Sequence, residues 1–203
     1  MAEVLFGQSY YLRFDPKLWK AMQPYPPLGT LYAASYLRQQ GYAVALFDAM
    51  LAASESEWTQ ALDRHRPKFA VLFEDNFNYL SKMCLLRMRQ AAFDMCRRAK
   101  ERGCTVIVCG ADATDYASAY LTQGADFVLI GEGEVTLGEL LDRLTDRTNT
   151  PLEQVLGLAW FDHHRSERRT SPRPVLKDLD TLPFPAWDLV ELSRYQRIWR
   201  QRH

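Results

Sequence analysis

Ala125-Asp126-Phe127-Val128-Leu129-Ile130-Gly131-Glu132-Gly133-Glu134 is the stretch from which the fold is read. Phe127 to Ile130, with Ala125 ahead of them, predict a strand buried on both faces. Gly131-Glu132-Gly133-Glu134 then turns the chain, and Leu137, Leu140, Leu141 and Leu144 follow at helical spacing. A buried strand that passes through glycines into a helix is half of a βαβ unit. Glycines let the backbone come close to a ligand, and the helix behind them aims free N–H groups at the turn. Alone, such a turn reads equally well as a tight turn and nothing else. It gains weight because the same unit recurs four times upstream.

Those units come in order. Glu3–Gly7 predicts the first strand, and Gln8 to Pro27 a long loop rich in aromatics: Tyr10, Tyr11, Phe14, Trp19 and Tyr25. A loop that long either walls a ligand site or packs on a neighbouring domain. Pro26-Pro27-Leu28-Gly29 opens a helix, with Gly29, Ala33 and Ala34 small enough for close packing and Gly41 as its stop. Ala43–Phe47 is the second strand, with Asp48 at its carboxyl end, and Ser54 with Glu57 predicts a capping box for a helix through His65. Phe69–Phe73 is the third strand, followed by the polar loop Glu74 to Asn78 and a helix from Ser81 to Arg102. Cys104–Cys109 is the fourth, followed by the loop Gly110 to Thr114 and a short helix from Tyr116 to Gln123. Five alternating strands and helices predict a parallel sheet covered on both faces, with ligands bound beyond the strands' carboxyl ends.

The charge balance, 25 basic against 25 acidic residues, suggests no general affinity for nucleic acid. At 203 residues and 47% hydrophobic, the chain has the makings of one domain plus an appendage. It holds no apolar run long enough for a membrane span. Met1-Ala2-Glu3-Val4 runs straight into a strand, as in a cytoplasmic protein without a signal peptide. Cys84, Cys96, Cys104 and Cys109 match no zinc or iron–sulfur spacing and read as buried free thiols.

After Arg147 the character changes, so residues 1–150 are expected to form the domain proper and 151–203 a hairpin and linker. Val155–Phe161, a charged turn to Arg169 and a return to Val175 predict a hairpin that extends the sheet edge. Leu176 to Leu189 is punctuated by proline, as in a segment crossing between domains. Trp187, Leu189, Tyr195 and Trp199 are expected to fold back on the domain, meet another copy or lack order.

Four ordered motifs carry a resemblance: Pro26-Pro27-Leu28-Gly29, Val108-Cys109-Gly110-Ala111-Asp112, Gly131-Glu132-Gly133-Glu134, and Leu179-Asp180-Thr181-Leu182-Pro183-Phe184-Pro185-Ala186-Trp187-Asp188. Together they resemble the N-terminal cobalamin-binding domain of radical S-adenosylmethionine enzymes. The resemblance implies a flavodoxin-like or Rossmann-like α/β three-layer sandwich with a five-stranded parallel sheet, carrying the hairpin and an extended interdomain tail. It implies cobalamin as cofactor and a radical S-adenosylmethionine domain following in cis, with a [4Fe-4S] cluster and S-adenosylmethionine. The Cys-x-x-x-Cys-x-x-Cys motif of that second domain is absent, so the chain reads as a fragment that binds cofactor without catalysing. The parent reaction implied is methyl transfer or a related radical rearrangement.

Cobalamin-dependent isomerases and methionine synthase carry Asp-x-His-x-x-Gly after the first strand, and its histidine ligates cobalt. Here Asp15-Pro16-Lys17 is the nearest match, with lysine in the histidine's place, and His65, His163, His164 and His203 lie elsewhere. The cobalt is therefore expected base-off without a histidine, above water or an apolar side chain such as Tyr10, Tyr11 or Trp19. The residues expected to touch the cofactor are Tyr10, Leu28, Gly29, Asp75, Asn78, Gly110, Ala111, Asp112, Gly131, Glu132, Gly133 and Glu134. None is assigned catalysis: Glu132 and Glu134 read as residues favoured at a helix start or as acceptors for ligand amides. Two rival readings stay open, a flavin- or nucleotide-binding flavodoxin-like module and a receiver domain with Asp48 or Asp75 as phospho-acceptor.

Overall fold

The computed structural model describes residues 2–74 and 85–202. Asp75, Asn78, Ser81, Cys84 and His203 lie outside the described residues. Among the described residues, seven strands form one sheet in the order β2-β1-β3-β4-β5-β6-β7. β1 (Val4–Gly7), β2 (Val44–Leu46), β3 (Phe69–Glu74), β4 (Thr105–Gly110) and β5 (Phe127–Leu129) run parallel. β6 (Leu158–Phe161) and β7 (Glu167–Arg169) run antiparallel, so the hairpin does extend the sheet edge.

The period-2 alternation of strands assigns the faces. Val4, Phe6, Phe69, Val71 and Phe73 point to one side, where they meet Ala33, Ala34 and Leu37 of α2 (Leu28–Gln39) and Leu137, Leu140 and Leu141 of α7 (Glu134–Leu144). Leu5, Ala70, Leu72, Val106 and Val108 point to the other. There they meet Trp58 and Leu62 of α3 (Ser56–His65), Ala91, Ala92 and Met95 of α4 (Leu85–Lys100), and Tyr120 and Leu121 of α6 (Ala117–Thr122). Small residues on α2 are what let that helix lie close, and a Cβ on Gly138 of α7 would stand 3.0 Å from the Tyr36 ring of α2.

Four sequence expectations change. The stretch from Gln8 to Pro27 is not one loop: it holds a 3-10 turn, Leu12–Phe14, and α1 (Pro16–Ala21). Asp15 caps α1, accepting from Lys17 N at 3.1 Å and Leu18 N at 3.0 Å, with Pro16 in the first turn. The loop expected at Gly110 to Thr114 is mostly α5 (Ala111–Asp115). The capping box is not made: the Ser54 hydroxyl turns to Ser56, and Glu57 accepts from Ala53 N at 2.6 Å rather than from Ser54 N, with Glu55 at the helix start. The hairpin's first strand starts at Leu158 rather than Val155, after a 3-10 turn at Leu152–Gln154.

The tail returns across the domain. The Leu176 N–H donates to Glu132, Ala186 N to Leu31 O at 3.1 Å, and Arg38 forms a two-pronged pair with Asp188. The tail ends in α8 (Leu192–Arg202), whose Tyr195 and Ile198 join a third apolar cluster with Tyr10, Leu12, Met22, Leu31, Met50 and Met88. Cys96, Cys104 and Cys109 are buried free thiols.

Candidate functional site at the carboxyl-end rim

Because β1 to β5 are parallel, Gly7, Leu46, Glu74, Gly110 and Leu129 all end on one edge of the sheet. Strand order reverses between β1 and β3, and in open α/β sheets that is where ligands enter. At this switch point the Ser9 N–H donates to both carboxylate oxygens of Glu74, at 2.9 Å each. Glu74 stands opposite Gly110 in the β3–β4 register. Thr30 donates to Phe73 O at 3.0 Å and holds the start of α2, with exposed Leu28 and half-buried Gly29, beside the end of β3.

The glycines of the rim differ in what they do. Gly110 has φ +147° and a Cβ there would lie 2.7 Å from both Cβ and O of Glu74. Gly131 has φ +79° and nothing within 4 Å of a Cβ, so its backbone lies open to an approaching ligand, with its N–H on Thr114 Oγ1 at 3.1 Å. Gly133 has φ −101°, and a Cβ would fall 2.3 Å from Cys109 Sγ. Gly133 is thus fixed by crowding and not by a left-handed backbone.

Several of the other expected contacts have partners within the chain, while Trp19 and Ala111 stay exposed. The Tyr10 hydroxyl donates to Asp15 at 3.0 Å, and its ring lies in the cluster under α8. Tyr11 is fully buried with its hydroxyl on Met95 Sδ at 3.4 Å, so neither tyrosine walls an open site. Trp19 remains exposed, with Arg13 over its ring at 5.1 Å. Asp112 is buried; Arg89 donates to both its oxygens, and the Tyr120 hydroxyl donates at 2.8 Å. Its side chain is a structural ion pair, and Arg89 also lies over the Tyr116 ring at 4.1 Å. Ala111 is exposed at the first residue of α5. Glu132 holds the tail through Leu176 N at 2.7 Å, and Glu134 opens α7, where a carboxylate suits the helix dipole.

The described histidines lie away from this edge. His65 ends α3 just before β3 begins. β6 runs antiparallel, with Phe127 opposite Trp160, so the turn with His163 and His164 is at the strands' amino ends.

Sequence reasoning missed the network beside the switch point. Gln8 follows Gly7 directly and accepts from Ala49 N at 3.1 Å while donating to Asp48. Asp48 also accepts from Met50 N at 3.1 Å and from the Tyr195 hydroxyl at 2.6 Å. Its place at the end of β2 was legible; a partner 147 residues away was not. Burial holds the Asp48 carboxyl above the usual carboxylate range, against the pull of Tyr195, Met50 N, Arg194 and Gln8. A carboxyl raised in the folded state is bound to its proton more tightly there than in the unfolded chain. Its contribution is full below the unfolded value, about pH 4, and is lost as pH rises through the folded value. Urea titrations across this window should therefore show wild type losing stability relative to Asp48→Asn as pH rises. A difference that is flat or grows with pH would contradict the placement of Asp48.

The B12 binding domain family matches residues 18–141, more than half of the chain. The chain is 31% identical over 173 residues to the hopanoid C-3 methylase of Methylococcus capsulatus, covering 83% of this chain and 30% of that protein. It is 27% identical over 174 residues to the anaerobic magnesium-protoporphyrin IX monomethyl ester cyclase of Synechocystis sp., covering 84% of this chain and 33% of that one. Its fold is like that of the cobalamin-dependent S-adenosylmethionine radical enzyme OxsB solved with aqua-cobalamin and S-adenosylmethionine. That match has a TM-score of 0.72 at 17% identity, over 98% of this chain and 25% of the enzyme. The chain spans a third or less of the length of each of these proteins.

Proposed function

The chain belongs to the B12-binding domain family, and we propose that it holds a cobalamin over the carboxyl-end rim, base-off and without a histidine on cobalt. The nucleotide tail would enter the crevice near Gly110 and Gly131, and the chain would serve as the cofactor domain of a radical S-adenosylmethionine enzyme that transfers a methyl group or performs a related rearrangement. The observation that carries this reading is the bare backbone of Gly131, open at the edge where strand order invites a ligand. The residues at hand suit such a group. Gly131 offers backbone at close range, Leu28 offers apolar surface at the start of α2, and the Ser9 hydroxyl is buried at the switch point with no partner among the described residues. That every described histidine lies off this edge supports a cobalt without protein imidazole.

When bound, the cofactor supplies a cobalt that accepts and donates a methyl group. The chain's own work is to position the ring, keep the crevice shaped and leave the metal's lower face without a strong donor. Of the three aromatics expected below cobalt, only Trp19 keeps exposed surface. The methylase and cyclase names among the relatives support a methyl-transfer or ring-forming parent reaction.

The test is retention. Protein incubated with hydroxocobalamin or with flavin mononucleotide and passed through a desalting column should carry the corrinoid and shed the flavin. Electron paramagnetic resonance of the Co(II) form should then lack coupling to an axial nitrogen. Retained flavin with lost corrinoid would sink the reading, and nitrogen coupling would sink the ligand-free lower face.

A further inference from the structure

Neither α1 nor α8 contains an acidic residue, and between them they carry Lys17, Lys20, Arg194, Arg197, Arg200 and Arg202. The two helices are neighbours: Trp199 Nε1 of α8 donates to Pro24 O, just past α1, at 2.9 Å. A groove of about 240 Å³ runs between them, lined by Trp19, Met22, Leu51, Arg194, Ile198 and Gln201. Tyr195 is buried against the domain, so helical spacing turns Arg197 and Arg200 outward while Arg194 flanks the groove.

Elsewhere cations are neutralised at close range: Arg38 by Asp188, Arg98 by Asp94, Lys100 by Asp126 and Arg102 by Asp63, at 2.6 to 2.7 Å. On this face they are not. Arg13, Lys17, Lys20 and Arg200 are exposed and form no ion pair among the described residues. Arg197 reaches Glu191 only at 3.7 Å, with both side chains mostly exposed, and Arg194 donates to Leu51 O at 2.8 Å. A chain of zero net charge therefore carries a positive face. Physiological salt screens exposed charges beyond about 8 Å, so a partner here meets this face and not the total.

Charge calls for an anion, and the tryptophans narrow which one. Trp19 and Trp199 are 39% and 40% exposed among these cations. Arg13 lies over the Trp19 ring at 5.1 Å, so a ring face on which a nucleic-acid base would stack is already taken. What remains is ring edges and a shallow apolar groove bordered by flexible cations. An acidic protein answers the charge but must also bring a fitted apolar surface. A phospholipid brings phosphate and hydrocarbon in one molecule, at the depths where Lys or Arg and Trp settle in a bilayer.

We infer that the α1–α8 face is a peripheral attachment site for an anionic phospholipid surface. α1 follows the end of β1, and α8 holds Asp48 at the end of β2, so attachment sets the carboxyl-end rim beside the headgroups. The inference goes beyond the cobalamin reading and does not depend on it.

The test is co-sedimentation of the chain with vesicles of phosphatidylcholine, alone or mixed with phosphatidylglycerol. Binding is expected with the mixed vesicles only, and is lost as salt rises from about 0.1 M to about 0.5 M. Arg197→Gln with Arg200→Gln should lower the partition coefficient about 30-fold, about fivefold per charge, with melting unchanged. Lys17→Gln with Lys20→Gln reads the other helix and should fall by a similar factor. Brominated acyl chains should quench wild-type tryptophan fluorescence and quench Trp19→Phe less. Equal binding to neutral and anionic vesicles, or an unchanged partition in either charge variant, overturns the inference. So does binding to polyglutamate or single-stranded RNA with vesicles left free, which makes the partner an acidic protein or a nucleic acid. Binding with equal quenching of wild type and Trp19→Phe overturns the part assigned to the groove.

Discussion

Gly110→Ala is expected to lower stability by about 3–4 kcal/mol, near the upper end for a single substitution outside a hydrophobic core. Two costs coincide at this residue. The backbone has φ +147° and ψ 166°, a conformation that residues with a Cβ rarely adopt. The added methyl would also stand 2.7 Å from Cβ and O of Glu74 on the neighbouring strand. Neither atom is the free end of a flexible side chain, so β3 and β4 must part beside the contact that Glu74 makes with Ser9 N. In a domain of this size the loss corresponds to a melting temperature lower by about 10 °C. Calorimetry would check it, and a variant melting within about 2 °C of wild type would mean that the ends of β3 and β4 are not arranged this way.

Gly133→Val is expected to cost about 3 kcal/mol by overpacking. Its φ of −101° is open to any residue, so the cost comes from the Cβ falling 2.3 Å from Cys109 Sγ and 3.0 Å from Phe73. Cys109 and Phe73 are both buried at the strand ends, so the turn between β5 and α7 would have to lift off the sheet. Gly131→Ala is the control two residues away. No atom lies within 4 Å of its Cβ, and only the φ of +79° resists, at a cost of about 1 kcal/mol. On the cobalamin reading the two should also differ in binding. Gly133→Val would displace the rim, while Gly131→Ala would put a methyl where a ligand comes close. Paired denaturant titrations check the order, and a Gly131 variant less stable than the Gly133 one would reverse the assignment of crowding and openness.

The parallel sheet was legible because each strand is a short apolar run closed by a polar or glycine residue, and five such runs alternate with helical spacing. The hairpin showed itself by its charged turn. The short helix α1 sits among aromatic residues that suit a loop, although Asp15-Pro16 is an ordinary helix start. The site was less legible, for a physical reason. Whether Asp112 faces a ligand or Arg89, or Tyr10 a corrin or α8, depends on partners 23 positions away in one case and in a separate apolar cluster in the other. Sequence spacing carries no information about such pairings. Ser9 is the sharpest case, because a serine two residues past a strand-ending glycine is unremarkable until its hydroxyl proves to be buried, with no partner among the described residues.

The long reach of the contact between Tyr195 and Asp48 sets a timetable for the chain. The hairpin of β6 and β7 closes over a few residues, whereas neighbouring parallel strands meet only after a crossover such as that from Phe69 to Thr105. Contacts of large sequence separation form late because loop closure comes before the gain they bring. The rim gathers residues from Ser9 to Gly133, so it is complete only when the last of these crossovers has closed. α8, bound through Tyr195 to Asp48 and through Trp199 to Pro24 O, is expected to settle after the rim, so that pulsed hydrogen exchange should protect β1 to β5 before α8. The order of assembly expected from this topology is sheet, rim, then the helix laid against it.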